Sequence, residues 1–487
     1  MNEKKIKKNT IYSIIKSCST IIFPLITFPY ISRVLLTENI GKINFSTSVV
    51  SYFSLIATLG ISTYAIRECS RIKNDKDKLE RTIGEILSIN VCTMLVSYVI
   101  LFIVLIVFKK LENHRNLIII QSSAILFTTF GADWINITME DFRYITLRNV
   151  SFQILSLILM FIFVKSPNDY IKYVIITIIS SSGGNIINII YRQKYCKTKL
   201  YLKMNIKKHL PPILTLFAMN LAQQIFVNSD TTILGLIKGD YEVGLYSTSV
   251  KIYNVVSTLM SSISWVVIPK LSSSFEKKEF DEVSNILKYA IGFTATIGIP
   301  IVIGMCILSS NIIELIAGNE YIGATISLQI LSIALLFSLA WGVVMNMILL
   351  PDKKDKECLK ACSISAILNV LLNLIFIPKY GLNAAAMTTT LSQLIGLLIC
   401  CKYVNNNISI NIQKNFWISI SLGSILIILF VLSCKLFITN NLLVLVVSTI
   451  GSVLIYSILQ IIFNNYWVKD IISEIKNKKR RILREIE

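Results

Sequence analysis

Apolar and polar positions along this chain alternate in long blocks rather than residue by residue. Fourteen apolar blocks reach membrane length: 11–32, 43–66, 83–108, 117–138, 145–164, 171–190, 211–236, 243–268, 287–309, 323–350, 360–378, 383–401, 416–434 and 442–463. A helix rises about 1.5 Å per residue, so roughly 20 apolar residues cross a ~30 Å hydrocarbon layer. The pattern predicts an all-α integral membrane protein with about fourteen transmembrane helices. The first block has basic flanks, but it is too long for a removable leader and lacks a small-x-small cleavage site.

The polar segments between blocks differ in charge. Segments 1–10, 67–82, 139–149, 191–210, 269–288, 351–360, 402–415 and 464–487 hold 36 Lys and Arg, and the opposite segments hold 10. Basic residues concentrate on the cytoplasmic side, so both termini are expected there, which also requires an even number of spans. The opposite segments are short, the longest being 310–322, and leave no folded external region for an enzyme. The tail 464–487, with Lys476, Lys478, Lys479, Arg480, Arg481 and Arg484, reads as a basic interfacial helix on anionic lipid.

Composition removes other classes. The 487 residues are 54% hydrophobic with a formal net charge of +20. A nucleic-acid binder shares the basic excess but has no use for these blocks, and a disordered chain lacks the apolar content. Ten cysteines spread thinly over this length do not make a secreted disulfide module.

The chain reads as duplicated. Gly41-Lys42-Ile43-Asn44-Phe45-Ser46-Thr47-Ser48-Val49 opens span 2, and Gly244-Leu245-Tyr246-Ser247-Thr248-Ser249-Val250 opens span 8. Both spans run into a charged cytoplasmic loop, 67–82 and 270–285. Spans 1–6 and 7–12 therefore form two six-helix lobes of equal topology, related by an axis along the membrane normal. The expected organisation is a first lobe over 1–205, a second over 206–403, two further helices over 404–463 and the tail 464–487.

Four spans carry polar residues at steps of three and four, which places each set on one helix face. Span 1 has Ser13, Lys16, Ser17, Thr20 and Thr27, with Pro24 and Pro29 expected to kink it; span 2 has Asn44, Ser48, Ser51 and Thr58. Span 7 has Asn220, Gln223, Gln224, Asn228 and Thr231 with Asp230 beside them, and span 8 has Ser247, Lys251, Asn254, Thr258 and Ser261. Ser, Thr and Asn commonly bond across packed membrane helices, so each stripe taken alone is as consistent with helix packing as with a cavity. An ionisable group near the midplane usually faces water or a partner, which singles out Lys251, while Lys16 lies nearer the cytoplasmic end and can snorkel. Asp230 reads equally as an ion-pair partner, an ion site or an interfacial residue.

Several chemistries have no residues to support them. There is no Gly-x-x-x-x-Gly-Lys-Ser/Thr phosphate loop, no Gly-x-Ser-x-Gly nucleophile turn and no cofactor motif. The two histidines, His114 and His209, lie near loops and do not make a metal site. Cys358, Cys362, Cys400 and Cys401 read as packing residues. Enzyme is the weaker class.

Particular runs carry a likeness. They include Phe28-Pro29-Tyr30-Ile31-Ser32-Arg33-Val34-Leu35, Gly60-Ile61-Ser62-Thr63-Tyr64-Ala65-Ile66-Arg67-Glu68, and Ala132-Asp133-Trp134. Tyr144-Ile145-Thr146-Leu147-Arg148-Asn149, Asn369-Val370-Leu371-Leu372-Asn373 and Ile377-Pro378-Lys379-Tyr380-Gly381 continue it. In order and spacing, over about residues 5–400, they resemble the Wzx-like polysaccharide flippases of the MOP (multidrug/oligosaccharidyl-lipid/polysaccharide) exporter superfamily. The resemblance implies a MATE-like fold in a bacterial inner membrane. It implies an undecaprenyl-pyrophosphate-linked oligosaccharide as cargo, moved outward by alternating access. It further implies coupling to a cation, H+ or Na+, or to the membrane potential, and work beside glycan polymerase and chain-length machinery.

Ser32-Arg33-Val34-Leu35 is similar to the span 1 motif of lipid II flippases, in which the arginine handles substrate; the glycine that usually follows the leucine is Leu36 here. A pyrophosphate calls for cations in a wet cavity, which makes Arg33 and Lys251, with Lys16 and Arg67, its candidates. Asn220, Gln224 and Asn254 are candidates for the sugar hydroxyls, and Asp133 and Asp230 for ion coupling. A drug/cation antiporter of the same superfamily is the alternative. It usually needs buried acidic residues, which are few in these spans, and Arg33 and Lys251 suit an anionic cargo better.

Overall fold

Runs of Ile, Leu, Val and Phe with their polar residues at three- and four-residue steps satisfy backbone groups internally only as helices, the one open-chain solution in lipid. The computed structural model describes residues 3–197, 199–201 and 205–473. Every regular element among the described residues is helical. They are α1 (Glu3–Thr58), α2 (Ile61–Arg71), α3 (Lys76–Val107), α4 (Arg115–Gly131), α5 (Trp134–Thr138), α6 (Phe142–Phe163), α7 (Tyr170–Ile178), α8 (Gly184–Tyr191) and α9 (Ile206–Lys238). Then follow α10 (Asp240–Glu276), α11 (Phe280–Ile307), α12 (Ser309–Ile316), α13 (Thr325–Gly342), α14 (Asp355–Cys401), α15 (Lys414–Phe437) and α16 (Asn441–Ile462). A π-turn over Ile179–Gly183 joins α7 to α8, and a second over Val343–Leu349 prolongs α13. From residue 474 the expected basic tail, with Lys476, Lys478, Lys479, Arg480, Arg481 and Arg484, lies outside the described residues.

Eleven helices among the described residues are long and apolar enough to cross a membrane, or twelve if the bent pair Asp240–Ser264 and Val267–Glu276 is one span. Two of the helices are far longer than a crossing: α1 has 56 residues and α14 has 47. Each is broken by one non-helical residue, Leu36 (φ 66°, ψ 171°) in α1 and Gly381 (φ 56°, ψ −136°) in α14. Both breaks fall in gaps between apolar blocks. The helix continues through Pro24 and Pro29, and the backbone leaves helical geometry at Leu36 instead. The gap after the break stays helical, with a Lys42–Glu38 ion pair one turn apart at 2.8 Å.

The chain divides into two compact units, Met1–Gly244 and Leu245–Glu487. The sequence draws its lobe boundary at 205/206, ahead of α9, whereas the division into units falls after it. Contact with α1 accounts for where α9 lies. A Cβ on Gly235 of α9 would sit 2.2 Å from the Phe45 ring of α1, and one on Gly41 would sit 1.7 Å from the Asp240 carbonyl oxygen. Small residues let membrane helices approach this closely.

In the first unit one apolar core gathers α2, α3, α5 and the start of α9 around Ile61, Leu79, Ile83, Ile86, Ile135 and Ile213. In the second, Leu271, Phe275, Leu287, Met347 and Ile348 make a core from α10, α11 and the second π-turn.

Candidate functional site

Most hydroxyls of the polar stripes bond their own helix. Ser48 Oγ donates to the Phe45 carbonyl (2.7 Å), Ser51 Oγ to Ser48 O (2.6 Å) and Thr20 Oγ1 to Ser17 O (2.7 Å). Such back-bonds satisfy a hydroxyl in lipid and need no cavity. Two stripes nevertheless meet inside the first unit. Thr232 Oγ1 on α9 lies 2.9 Å from Ser48 Oγ and 3.3 Å from the Tyr52 hydroxyl, both on α1. The sequence stripe names Thr231, and the contact is made by its neighbour.

The candidate residues divide between the units. In the first, Lys16 is half-buried on α1, and Arg33 is exposed with Nη1 donating to the Pro29 carbonyl at 2.7 Å. Arg67 is exposed on α2, where the next residue, Glu68, pairs with Lys208 at 3.1 Å. Asn220 lies against Gly60, whose φ of 75° turns the chain between α1 and α2; a Cβ there would meet Leu216 Cβ at 3.1 Å and Asn220 Nδ2 at 3.2 Å. Gln224 is half-buried and accepts at its backbone carbonyl from Asn228 Nδ2 (3.3 Å), and Asp230 is buried. In the second unit, Ser249 meets Ser327 (2.6 Å) and Tyr253 accepts from Gln393 Nε2 (2.9 Å), which turns that face of α10 inward. Lys251 is half-buried and Asn254 exposed, and with Thr258 they share another face of α10.

Asp133 belongs to a different cluster. Its carboxylate takes Arg148 Nη2 at 2.6 Å and Asn188 Nδ2 at 3.1 Å, and Asn188 also donates to the Gly131 carbonyl and accepts from Asn136 Nδ2 at 2.6 Å. Next to it Asp141 caps α6 through the Tyr144 amide (3.3 Å) and accepts from the Tyr191 (2.7 Å) and Tyr195 (2.5 Å) hydroxyls. Burial pushes the Asp141 carboxyl up, but those hydroxyls, the amide and the Lys194 charge outweigh it and hold it below the usual carboxylate range. Tyr144 and Tyr191 stack at 3.4 Å. Sequence reasoning missed Asn188 and the buried Arg192, although Asn185, Asn188 and Arg192 repeat at three and four residues on one face. No group of three or more His, Cys, Asp or Glu among the described residues is arranged to hold a metal ion.

Comparisons with known proteins bear on what this arrangement serves. A family model described as polysaccharide biosynthesis protein matches residues 6–275, and one described as lipid II flippase MurJ matches residues 198–458. A relative from Escherichia coli (strain K12) named as an O-antigen transporter is 22% identical over 413 residues, 83% of this chain and 98% of its own. Capsular polysaccharide biosynthesis protein CapF from Staphylococcus aureus is 26% identical over 401 residues, 80% of this chain and 97% of its own. Among solved structures, lipid II flippase MurJ in an inward closed conformation matches with a TM-score of 0.76 at 18% identity, covering 95% of this chain and 100% of that one. At that identity the likeness is one of fold.

Proposed function

The chain belongs to the polysaccharide biosynthesis protein family, in the MOP exporter superfamily, and from that membership we propose that it flips undecaprenyl-pyrophosphate-linked oligosaccharide units across a bacterial plasma membrane. The cargo enters on the cytoplasmic face and leaves on the outer face, where it feeds O-antigen, capsule or exopolysaccharide assembly. The observation that carries this reading is coverage: relatives named for O-antigen transport and capsular polysaccharide biosynthesis align over four-fifths of the chain and nearly all of their own length.

Fourteen crossings with both termini cytoplasmic accompany the reading. The breaks at Leu36 and Gly381 support it, because each separates two apolar blocks within one long helix. Arg33 and Lys251 each meet the pyrophosphate during transport, Arg33 as a fork and Lys251 as a point charge, with Lys16 and Arg67 as lesser contacts. Asn220, Gln224 and Asn254 offer amides to sugar hydroxyls. Asp133, held by Arg148 and Asn188, and the buried Asp230 are the two carboxylates available to the coupling cation, H+ or Na+.

The test is sidedness of the lipid-linked oligosaccharide in spheroplasts depleted of the protein, probed with an impermeant glycan-modifying enzyme. Protected units accumulate on depletion and are released on re-expression. Unchanged sidedness and unchanged surface glycan contradict the reading and leave drug or ion export. Full surface-glycan export by both Arg33→Ala and Lys251→Ala at normal expression contradicts the residue assignment alone.

A further inference from the structure

Histidine occurs twice in the 487 residues, and both side chains are engaged at the ends of one helix. At the start of α9, His209 is fully buried, its Nδ1 2.7 Å from the Tyr64 hydroxyl of α2 and its Nε2 3.1 Å from Glu85 Oε2 of α3. Just beyond the end of α9, Asp240 Oδ1 lies 2.8 Å from Nε2 of His114, the residue ahead of α4. The helix between them has 33 residues, about 50 Å of rise. The two contacts therefore lie a full crossing apart, on segments that the charge count assigns to opposite faces of the membrane.

Neutral imidazoles beside ionised carboxylates have one arrangement of protons that satisfies these contacts. A carboxylate only accepts, so Nε2 carries the proton in both histidines and donates to Glu85 and to Asp240. His209 Nδ1 then accepts from the Tyr64 hydroxyl, and Glu85 Oε1 takes Arg81 Nε at 3.1 Å, giving a Tyr–His–Glu–Arg chain across α2, α9 and α3. The His114 contact is simpler: its ring packs edge-on against Phe45 at 4.7 Å, and its Nδ1 is buried with no hydrogen-bond partner among the described residues. Removing either imidazole takes one donor from a carboxylate: Asp240 Oδ1 loses His114, and Glu85 Oε2 loses His209 while Oε1 keeps Arg81.

We propose that His114 and His209 are positioning residues for transport, closing two histidine–carboxylate clasps that hold α9 in the first unit from both ends. The helix so held carries Asn220, Gln224 and Asp230, so the transport consequence rests on the function proposed above. The clasps themselves rest only on the geometry.

The experiment uses the full chain in native membranes. Ser48→Cys with Thr232→Cys replaces two hydroxyls 2.9 Å apart by thiols, and oxidation reports how closely α9 stays on α1, read as the disulfide-linked peptide by mass spectrometry. His209→Ala or His114→Ala is expected to lower the cross-link yield several-fold and oligosaccharide transport about tenfold. Gln at either position keeps a donor near the Nε2 site and is expected to restore most of both. Native cross-link yield in both Ala variants overturns the proposal. Reduced cross-linking with native transport overturns the positioning role. Loss of both in the Gln variants as well overturns the hydrogen-bond account. If His209→Ala fails to reach the membrane, Glu85→Met removes the other half of the same clasp, and a native yield there overturns the His209 clasp. If the clasps behave as expected while the unsubstituted protein moves no lipid-linked oligosaccharide, the function reading falls and the clasps stand.

Discussion

The two units meet the same structural demands with different residues. Each contains one over-long helix broken at a positive φ, by Leu36 in the first unit and by Gly381 in the second. Glycine adopts such a conformation freely, whereas for leucine it lies in a region populated almost only by glycine and costs about 1–3 kcal/mol. The two units also differ in how their interiors are tied. The first uses charged groups: Arg148 with Asp133, His209 with Glu85, and His114 with Asp240. In the second, the interior bonds run between amides and hydroxyls: Asn373 with Asn369 and Thr388, Ser249 with Ser327, and Gln460 with Ser419 and Asn465. Removing the donor to a carboxylate held inside the protein strands a charge, and removing one hydroxyl strands only a dipole. The first unit should therefore be the more sensitive to point substitution in its polar interior.

Stability measurements on the purified protein in detergent test that contrast. The largest effect is expected from Arg148→Met, which leaves Asp133 without its guanidinium. About 2–3 kcal/mol of destabilisation is expected, since Asp133 is partly exposed and keeps Asn188, and part of it is recovered by adding Asp133→Asn in a double-mutant cycle. Next comes Gly381→Ala, which forces a side chain into φ 56°, ψ −136° and should cost about 1–3 kcal/mol. The reciprocal change, Leu36→Gly, should raise the unfolding midpoint; a lowered midpoint would show that Leu36 is unstrained. The smallest loss, about 1 kcal/mol, is expected from Thr388→Val, which removes a hydroxyl from Asn373 in the second unit. If Thr388→Val costs as much as Arg148→Met, the contrast between units is wrong.

Much of the fold was legible because membrane length and helical rise fix where a helix must lie. The block boundaries 32/43 and 378/383 bracket Leu36 and Gly381, and α1 runs on through its gap, where Glu38 and Lys42 pair one turn apart. The stripes were legible as faces and not as contacts. Periodicity says that Ser48 and Asn228 each share a face with their neighbours, but it does not say that α1 and α9 bring Ser48 to Thr232. The same limit hid the Asp133 cluster, whose partners Arg148 and Asn188 are 15 and 55 positions away, and the clasp partners of the two histidines, 124 to 145 positions away. The packing of α9 against α1 was also invisible, because it depends on close approaches such as Gly235 on Phe45, which periodicity does not report.

The proposed cargo is a lipid-linked oligosaccharide, with Arg33 and Lys251 proposed to handle its charged head. The most direct measurement is reconstitution of the purified protein into liposomes that contain undecaprenyl-pyrophosphate-linked oligosaccharide, with an imposed cation gradient. An impermeant glycan-modifying enzyme then reports the fraction of the lipid that becomes accessible over time. Native protein is expected to expose inner-leaflet cargo far faster than empty liposomes, and Arg33→Ala combined with Lys251→Ala is expected to abolish the difference. Accessibility equal to that of empty liposomes, with correctly folded and inserted native protein, would contradict it.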